Sequence, residues 1–357
     1  MKKIDIGTAE HAFFVPFEKF RQLVNTLLEE YVVIGPVRKQ DTTSFEIIEN
    51  VDELNLDYEG HTKIPPKKFF LPPREILFTY RINEKNVVIE DNLEVLRNEK
   101  RILIGIHSCD IHSLLIMDKI FIGEFQDPYY RARRENTIII GLVCDKPADY
   151  CFCYFTKSGP DITDGYDLLL TNVGNGYLVE IGSKNGLEIV HKHREYFTQA
   201  EKSLLEEKKK KIREITDKLK SRGLPFFDTV YSDMVHNFDH EIWNELGSKC
   251  LACGKCNYAC PTCYCFDIID EAEPDLSSGK RIRIWDSCHF LSFTRVASGE
   301  VFRAERSSRV KQRIYHKLVY SVNHIDLISC VGCGRCIDVC SARIDIRDVV
   351  SKIKGGG

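Results

Sequence analysis

The chain has 357 residues, enough for two or three domains with a sizeable core. A formal net charge of −3 gives no sign of the basic face that a nucleic-acid partner would require. Fifteen cysteines are many for this length, yet too dilute for a small disulfide scaffold.

The opening, MKKIDIGTAEHAFF, lacks the apolar core of a signal peptide, and the longest strongly apolar runs, such as Thr137–Cys144, are too short to span a bilayer. A cytoplasmic protein with reduced thiols is expected. Residues 17–31 carry Phe17, Phe20, Leu23, Leu27 and Leu28 at helical spacing. A strand at Val32-Val33-Ile34 and another at Ser44–Glu49 follow. Ile64–Arg74 holds four prolines and reads as a stiff extended arm packed on its own domain. Arg101–Ile106, Asp110–Phe121 and Thr137–Val143 read as a parallel β-α-β unit, with a short polar helix in Asp127–Asn136. Leu168–Asn172 and Tyr177–Ile181 flank Gly174-Asn-Gly176 as a hairpin. From Gln199 to Arg222 the chain is half charged, with glutamates among the lysines, and reads as a solvated connecting helix. A short helix at His240–Leu246 leads onward.

Cys250-Leu-Ala-Cys253-Gly-Lys-Cys256-Asn-Tyr-Ala-Cys260-Pro261 has the spacing C-x2-C-x2-C-x3-C-P, and it recurs as Cys330-Val-Gly-Cys333-Gly-Arg-Cys336-Ile-Asp-Val-Cys340-Ser341. Zinc sites usually show two C-x2-C pairs with a long spacer, whereas four cysteines in eleven residues are the bacterial ferredoxin pattern for [4Fe-4S]. In two-cluster proteins the fourth cysteine ligates the other cluster. The assignment is therefore Cys250, Cys253, Cys256 and Cys340 for cluster 1, and Cys330, Cys333, Cys336 and Cys260 for cluster 2. Gly254, Gly332 and Gly334 allow the sharp loop bends such ligation needs. Lys255 and Arg335 should place positive charge beside a cluster and favour its reduced form. The 69-residue spacer 261–329 is expected to be helical, with a basic helix around Arg303–Tyr320. Lys354–Gly357 should be disordered.

Seven cysteines fall outside the motifs. Cys109 and Cys144 follow the two strands of the β-α-β unit, at the carboxyl edge where sites in open α/β sheets gather. Cys151-Phe-Cys153 comes soon after. In an extended C-x-C both side chains share a face, with Cα atoms roughly 6.5 Å apart. These four could hold a third [4Fe-4S] cluster, could act as a dithiol at Cys151/Cys153, or could be inert buried thiols. Cys263, Cys265 and Cys288 could tune the clusters from beside them or simply pack. Trp285 and Tyr264 read as the dry wall around a cluster. His107, His112 and His289 could be ligands, although lone histidines are more often satisfied structural residues.

The expected organisation is an α/β (α+β) domain at 1–196, a charged helical linker at 197–245, and a mainly α-helical dicluster ferredoxin domain at 246–357. Beyond the ferredoxin pattern, the chain resembles the iron-sulfur β subunits of soluble [NiFe] hydrogenases, the sulfhydrogenases. More distantly it is similar to an iron-sulfur component of anaerobic sulfite reductase. The resemblance rests on Gly35-Pro-Val-Arg38, Leu54–Tyr58, Pro65-Pro-Lys-Lys-Phe-Phe70, His107-Ser-Cys-Asp-Ile-His112, Asp127-Pro-Tyr-Tyr130, Tyr150-Cys-Phe-Cys153, Cys260-Pro-Thr-Cys-Tyr-Cys265, Asp286-Ser-Cys288 and Cys330-Val-Gly-Cys-Gly-Arg-Cys336. Ser341 departs from the usual proline, which costs a rigid turn and no ligand. The resemblance implies a non-catalytic electron relay, in an anaerobic setting, between a flavin subunit that binds NAD(P)H and a catalytic hydrogenase subunit. The alternative is a subunit of a sulfite or polysulfide reductase in which the N-terminal cysteines take part in catalysis. No nickel or flavin site and no Rossmann fingerprint is visible, and no residue is expected to act in acid–base catalysis.

Overall fold

A computed structural model describes residues 12–84 and 86–355. Its strands are β1 (Ala12–Pro16), β2 (Val32–Lys39), β3 (Thr42–Ile47), β4 (Arg74–Asn83), β5 (Asn86–Asp91), β6 (Arg101–Ile106), β7 (Thr137–Leu142), β8 (Leu168–Asn172), β9 (Gly176–Ile181), β10 (Thr198–Gln199), β11 (Phe266–Ala272) and β12 (Ser278–Trp285). They form two sheets.

The first sheet has eight strands in the order β10-β1-β9-β8-β7-β6-β2-β3. Its centre, β2-β6-β7-β8, is parallel. Both faces of β6 are buried, which is why Arg101–Ile106 reads as an unbroken apolar run after its arginine. The helix Phe17–Leu28 lays Phe20, Leu23, Val24 and Leu27 on this sheet, at the spacing seen in the sequence. The hairpin β8-β9 forms as expected around the glycine turn. Pro36 falls inside β2, beyond the Val32–Ile34 stretch that pairs with β6, so the missing N–H breaks no bond of that ladder.

The second sheet is antiparallel, in the order β11-β12-β4-β5. This corrects the expectation that the spacer between the cysteine motifs is helical. The spacer opens with the hairpin β11-β12, and β12 pairs with β4, a strand some two hundred residues earlier. Helix follows only at Arg306–Tyr315, with a π-helical turn at His316–Tyr320 and a helix at Ser321–Ile325. The C-terminal region is thus mixed rather than mainly helical. Buried Arg283 on β12 pairs with Glu75 on β4 and with Asp127, which caps the helix Pro128–Glu135, and Arg133 of that helix also meets Glu75. The ion cluster joins the two sheets. Ile82, Val87, Ile89 and Ile268 of the antiparallel sheet are exposed.

The charged stretch forms the helix Lys202–Lys220, but it is not solvated all round, since Lys208, Ile215 and Leu219 are buried. Lys354, expected to be disordered, lies in the last helix, Ile346–Gly355, and residues 356–357 lie outside the described part of the chain, as does most of the opening stretch.

Candidate functional site

Each cysteine motif folds as a loop closed by a one-turn helix, Lys255–Tyr258 or Arg335–Asp338. Gly254 (φ +74°) and Gly334 (φ +77°) start these turns in the left-handed region that side chains rarely adopt. Cys250, Cys253, Cys256 and Cys340 line one pocket, which Cys336 also borders. Cys260 and Cys336 act electrostatically on both Cys330 and Cys333, and Cys260 acts on Cys336, so the four are neighbours. Burial pushes the Cys256 and Cys330 thiols up to about 12, so as free thiols both would be neutral.

Buried cations surround these sulfurs. Arg313 donates from Nε to Asn257 Oδ1 at 3.0 Å and from Nη2 to the Cys256 carbonyl at 3.2 Å, and it acts electrostatically on Cys256, Cys336 and Cys260. Lys317 donates to the Thr262 carbonyl at 2.8 Å. Lys67, on the proline-rich arm, donates to the Cys260 and Cys263 carbonyls at 2.8 and 2.6 Å and stands over the Trp285 ring. All three are buried, and among the described residues none has a carboxylate partner. Isolated buried charges are costly, and neutral thiols would leave these uncompensated. A cubane held by four thiolates carries net negative charge and supplies the missing counter-ion. His289 makes the same point, since its Nε2 is buried without a partner beside the pocket of Cys250. The donor set, the orphaned nitrogen and the unpaired cations all fit [4Fe-4S] groups.

Arg335 acts as a positive charge on Cys333, and it also has a partner the sequence did not announce. It is completely buried and forms a bidentate pair with Asp110, both contacts at 2.6 Å, while Nε donates to the Thr62 carbonyl. Asp110 offsets part of its charge, which still acts on Cys333. Lys255 remains exposed and donates to Ser341 Oγ at 3.1 Å. Arg313, Lys317 and Lys67 are the cations that sequence reasoning missed. Arg309, Arg313 and Lys317 recur every four residues in the basic helix, and that shared face was the available signal.

The remaining cysteines fall into two groups. Cys263 Sγ lies 3.8 Å from Cys265 Sγ, and Cys288 Sγ accepts from Asn257 Nδ2 at 3.1 Å. Cys109, Cys144, Cys151 and Cys153 line one small enclosed cavity. Tyr264 packs edge-on to Phe121, while Trp285 donates to the Leu71 carbonyl. His107 Nδ1 donates to the Gly60 carbonyl and the ring stacks on Tyr58, a structural arrangement, and His112 Nδ1 donates to the Ser108 carbonyl. Among the described residues no helix is long and apolar enough to cross a membrane.

A cysteine-rich loop pair on a mixed-sheet scaffold, ringed by unpaired cations, defines an iron-sulfur protein of the dicluster class. Residues 249–344 match the family described as 4Fe-4S dicluster domain. The chain is also 36% identical over 348 residues to the sulfhydrogenase 2 subunit beta of Pyrococcus furiosus, covering 95% of this chain and 97% of that protein. It belongs to the sulfhydrogenase beta-subunit family.

Proposed function

We propose that this chain is a cytoplasmic electron-transfer subunit that carries two [4Fe-4S] clusters, ligated by the crossed sets Cys250/Cys253/Cys256/Cys340 and Cys330/Cys333/Cys336/Cys260. It relays electrons between a flavin subunit that binds NAD(P)H and a catalytic subunit, most readily a [NiFe] hydrogenase, within the multisubunit assembly that its family membership implies. The observation that carries this reading is the placement of Cys340, from the second motif, in the pocket of the first three motif-one cysteines. Each cluster would supply one-electron chemistry without moving a bond in the protein. The chain's own residues hold the sulfurs, exclude water and present Arg313, Lys317 and Lys67 to the negative charge.

The test is anaerobic purification of the full chain, followed by iron and acid-labile sulfide analysis and an EPR-monitored redox titration. At least two one-electron centres, re-oxidised by a hydrogenase partner and re-reduced by NAD(P)H only when the flavin partner is present, are expected. A colourless zinc protein without labile sulfide would end the reading. An isolated chain that turned over polysulfide with an artificial reductant would replace it with the reductase alternative.

A further inference from the structure

The cysteines outside the two motifs include a quartet that the relay does not use. Cys109 sits three residues past Ile106 of β6, and Cys144 three past Gly141 of β7. Ile106 and Gly141 are register partners in neighbouring parallel strands, so both cysteines follow from the same edge of the sheet. The loop after β7 then crosses that edge. Its Phe152 packs against Phe227, ring centres 5.0 Å apart with the planes tilted, while Cys151 and Cys153 line the cavity. All four line one cavity, closed by Leu219 of the helix Lys202–Lys220 and by Gly332. None of the four sulfurs is hydrogen-bonded to another, in contrast to Cys263 and Cys265. No disulfide joins them.

A second observation points to an anionic occupant. Arg222 acts electrostatically on Cys151 and Cys153. Its Nη2 donates to the Ala148 carbonyl at 2.9 Å, but its Nη1 is buried with no partner. A buried guanidinium nitrogen left unpaired against neutral thiols is costly, and an acceptor with negative charge would satisfy it.

We propose that Cys109, Cys144, Cys151 and Cys153 hold a third [4Fe-4S] cluster, with Arg222 donating to it. Four thiolates in an enclosed, largely apolar cavity are the donor set this cofactor takes. The wall between this site and the second motif is one layer of backbone. Phe152 N donates to the Gly332 carbonyl at 2.7 Å, and a Cβ on Gly332 would stand 2.6 Å from Cys153 N. Cys151 Sγ lies 3.7 Å from the Cys333 carbonyl oxygen. The third cluster therefore exchanges single electrons with the second. What one loses the other gains, and no proton or bond moves. This extends the electron path to the carboxyl edge of the eight-stranded sheet. The path rests on the two-cluster reading, while the site itself stands alone.

The experiment is iron, zinc and acid-labile sulfide per chain in anaerobically purified full-length protein, with Mössbauer and EPR spectra. Wild type, Cys144→Ser, Cys153→Ser, Cys253→Ser and Arg222→Gln are compared. About twelve iron are expected in wild type, since each cubane holds about four. The count should fall by a third in Cys144→Ser and in Cys153→Ser, with loss of one and the same centre. Cys253→Ser should lose a different centre. Arg222→Gln should keep its iron and lower the midpoint potential of the centre that the Cys144 variant lacks. About eight iron in wild type would overturn the third cluster and leave the relay intact, as would a full count unchanged in both cysteine variants. Eight iron plus one zinc would also overturn it. No iron at all would overturn the relay as well. Should the cysteine variants fail to fold, the wild-type count and the Arg222→Gln titration still decide.

Discussion

Arg313 is the most direct handle on the clusters' potentials. It is buried, it has no carboxylate partner among the described residues, and its charge acts on Cys256, Cys336 and Cys260, which are drawn from both quartets. The reduced form of a cluster carries one more negative charge than the oxidised form, so a fixed cation beside it raises the midpoint potential. Over about 7 Å at an effective dielectric of ~20, one charge is worth roughly 2.4 kcal/mol. For a one-electron couple, where a tenfold change is about 59 mV, that is on the order of 100 mV, or about half as much at a dielectric of ~40. Arg313→Gln should therefore lower the potential of both motif clusters by roughly 50–100 mV. Arg313→Lys should hold it near wild type if the charge is kept in place. The assay is an EPR-monitored redox titration on protein whose iron content has first been shown to equal wild type. A shift of less than about a fifth of this size, or an upward shift, with iron intact would refute the argument that the unpaired cation compensates the clusters.

Three further outcomes follow from the geometry. Arg335→Met leaves Asp110 buried and unpaired, which should cost about 3–5 kcal/mol of stability by chemical denaturation, while Arg335→Met with Asp110→Leu should recover much of the loss. Arg335→Glu would set two carboxylates against each other in the interior, so it should fail to fold rather than merely shift a potential. Cys340→Ser should abolish the same EPR centre as Cys253→Ser, and Cys260→Ser the same centre as Cys330→Ser, whereas loss of the motif-two centre in Cys340→Ser would refute crossed ligation. Gly332→Ala combines a φ of +58° with a Cβ 2.6 Å from Cys153 N. It should destabilise by about 2 kcal/mol or more and speed loss of iron in air, as followed by the visible absorbance.

The parts legible in the sequence were those with a strong period or a fixed spacing. The helix Phe17–Leu28, the β-α-β unit and the hairpin β8-β9 each bury a face that the apolar pattern marks. The cysteine motifs were legible because ligand spacing is a local property. The antiparallel sheet was not. All of β5 is exposed, so it carries no burial pattern, and β11 is exposed at every position but Ile269, with Asp267, Asp270 and Glu271 among them. Arg281-Ile-Arg-Ile alternates as a strand should, but its partner β4 lies far away in the chain, and nothing local announces that pairing. The cations were missed for a related reason. In the stretch Arg306–Lys317 a buried arginine and an exposed one look alike, and only the fold separates Arg313 from Arg306. The Asp110 partner of Arg335 was not legible because it is 225 residues away.

These long-range ties explain why the cysteine motifs sit on so large a scaffold. The loop of the second motif is held by the Asp110–Arg335 pair at the start of the helix Ser108–Phe121, and by close packing of Gly332 on Cys153. The end of the first is held by Lys67, which reaches in from the proline-rich arm to two of its backbone carbonyls. Between the motifs, β12 is fixed to β4 by a full ladder and by the Arg283–Glu75 pair. A ferredoxin-like pair of loops alone would have to order its own backbone around the metal. Here much of that ordering is done by contacts which do not involve the metal, so the ligand positions are pre-organised. A relay benefits directly, because a site that moves little between its two oxidation states loses little energy to rearrangement at each electron transfer. The buried cations then mark where charge must reside. They are tolerated only with an anion beside them, so loss of the clusters should weaken the fold at Arg313, Lys317 and Lys67 before it reaches the eight-stranded sheet.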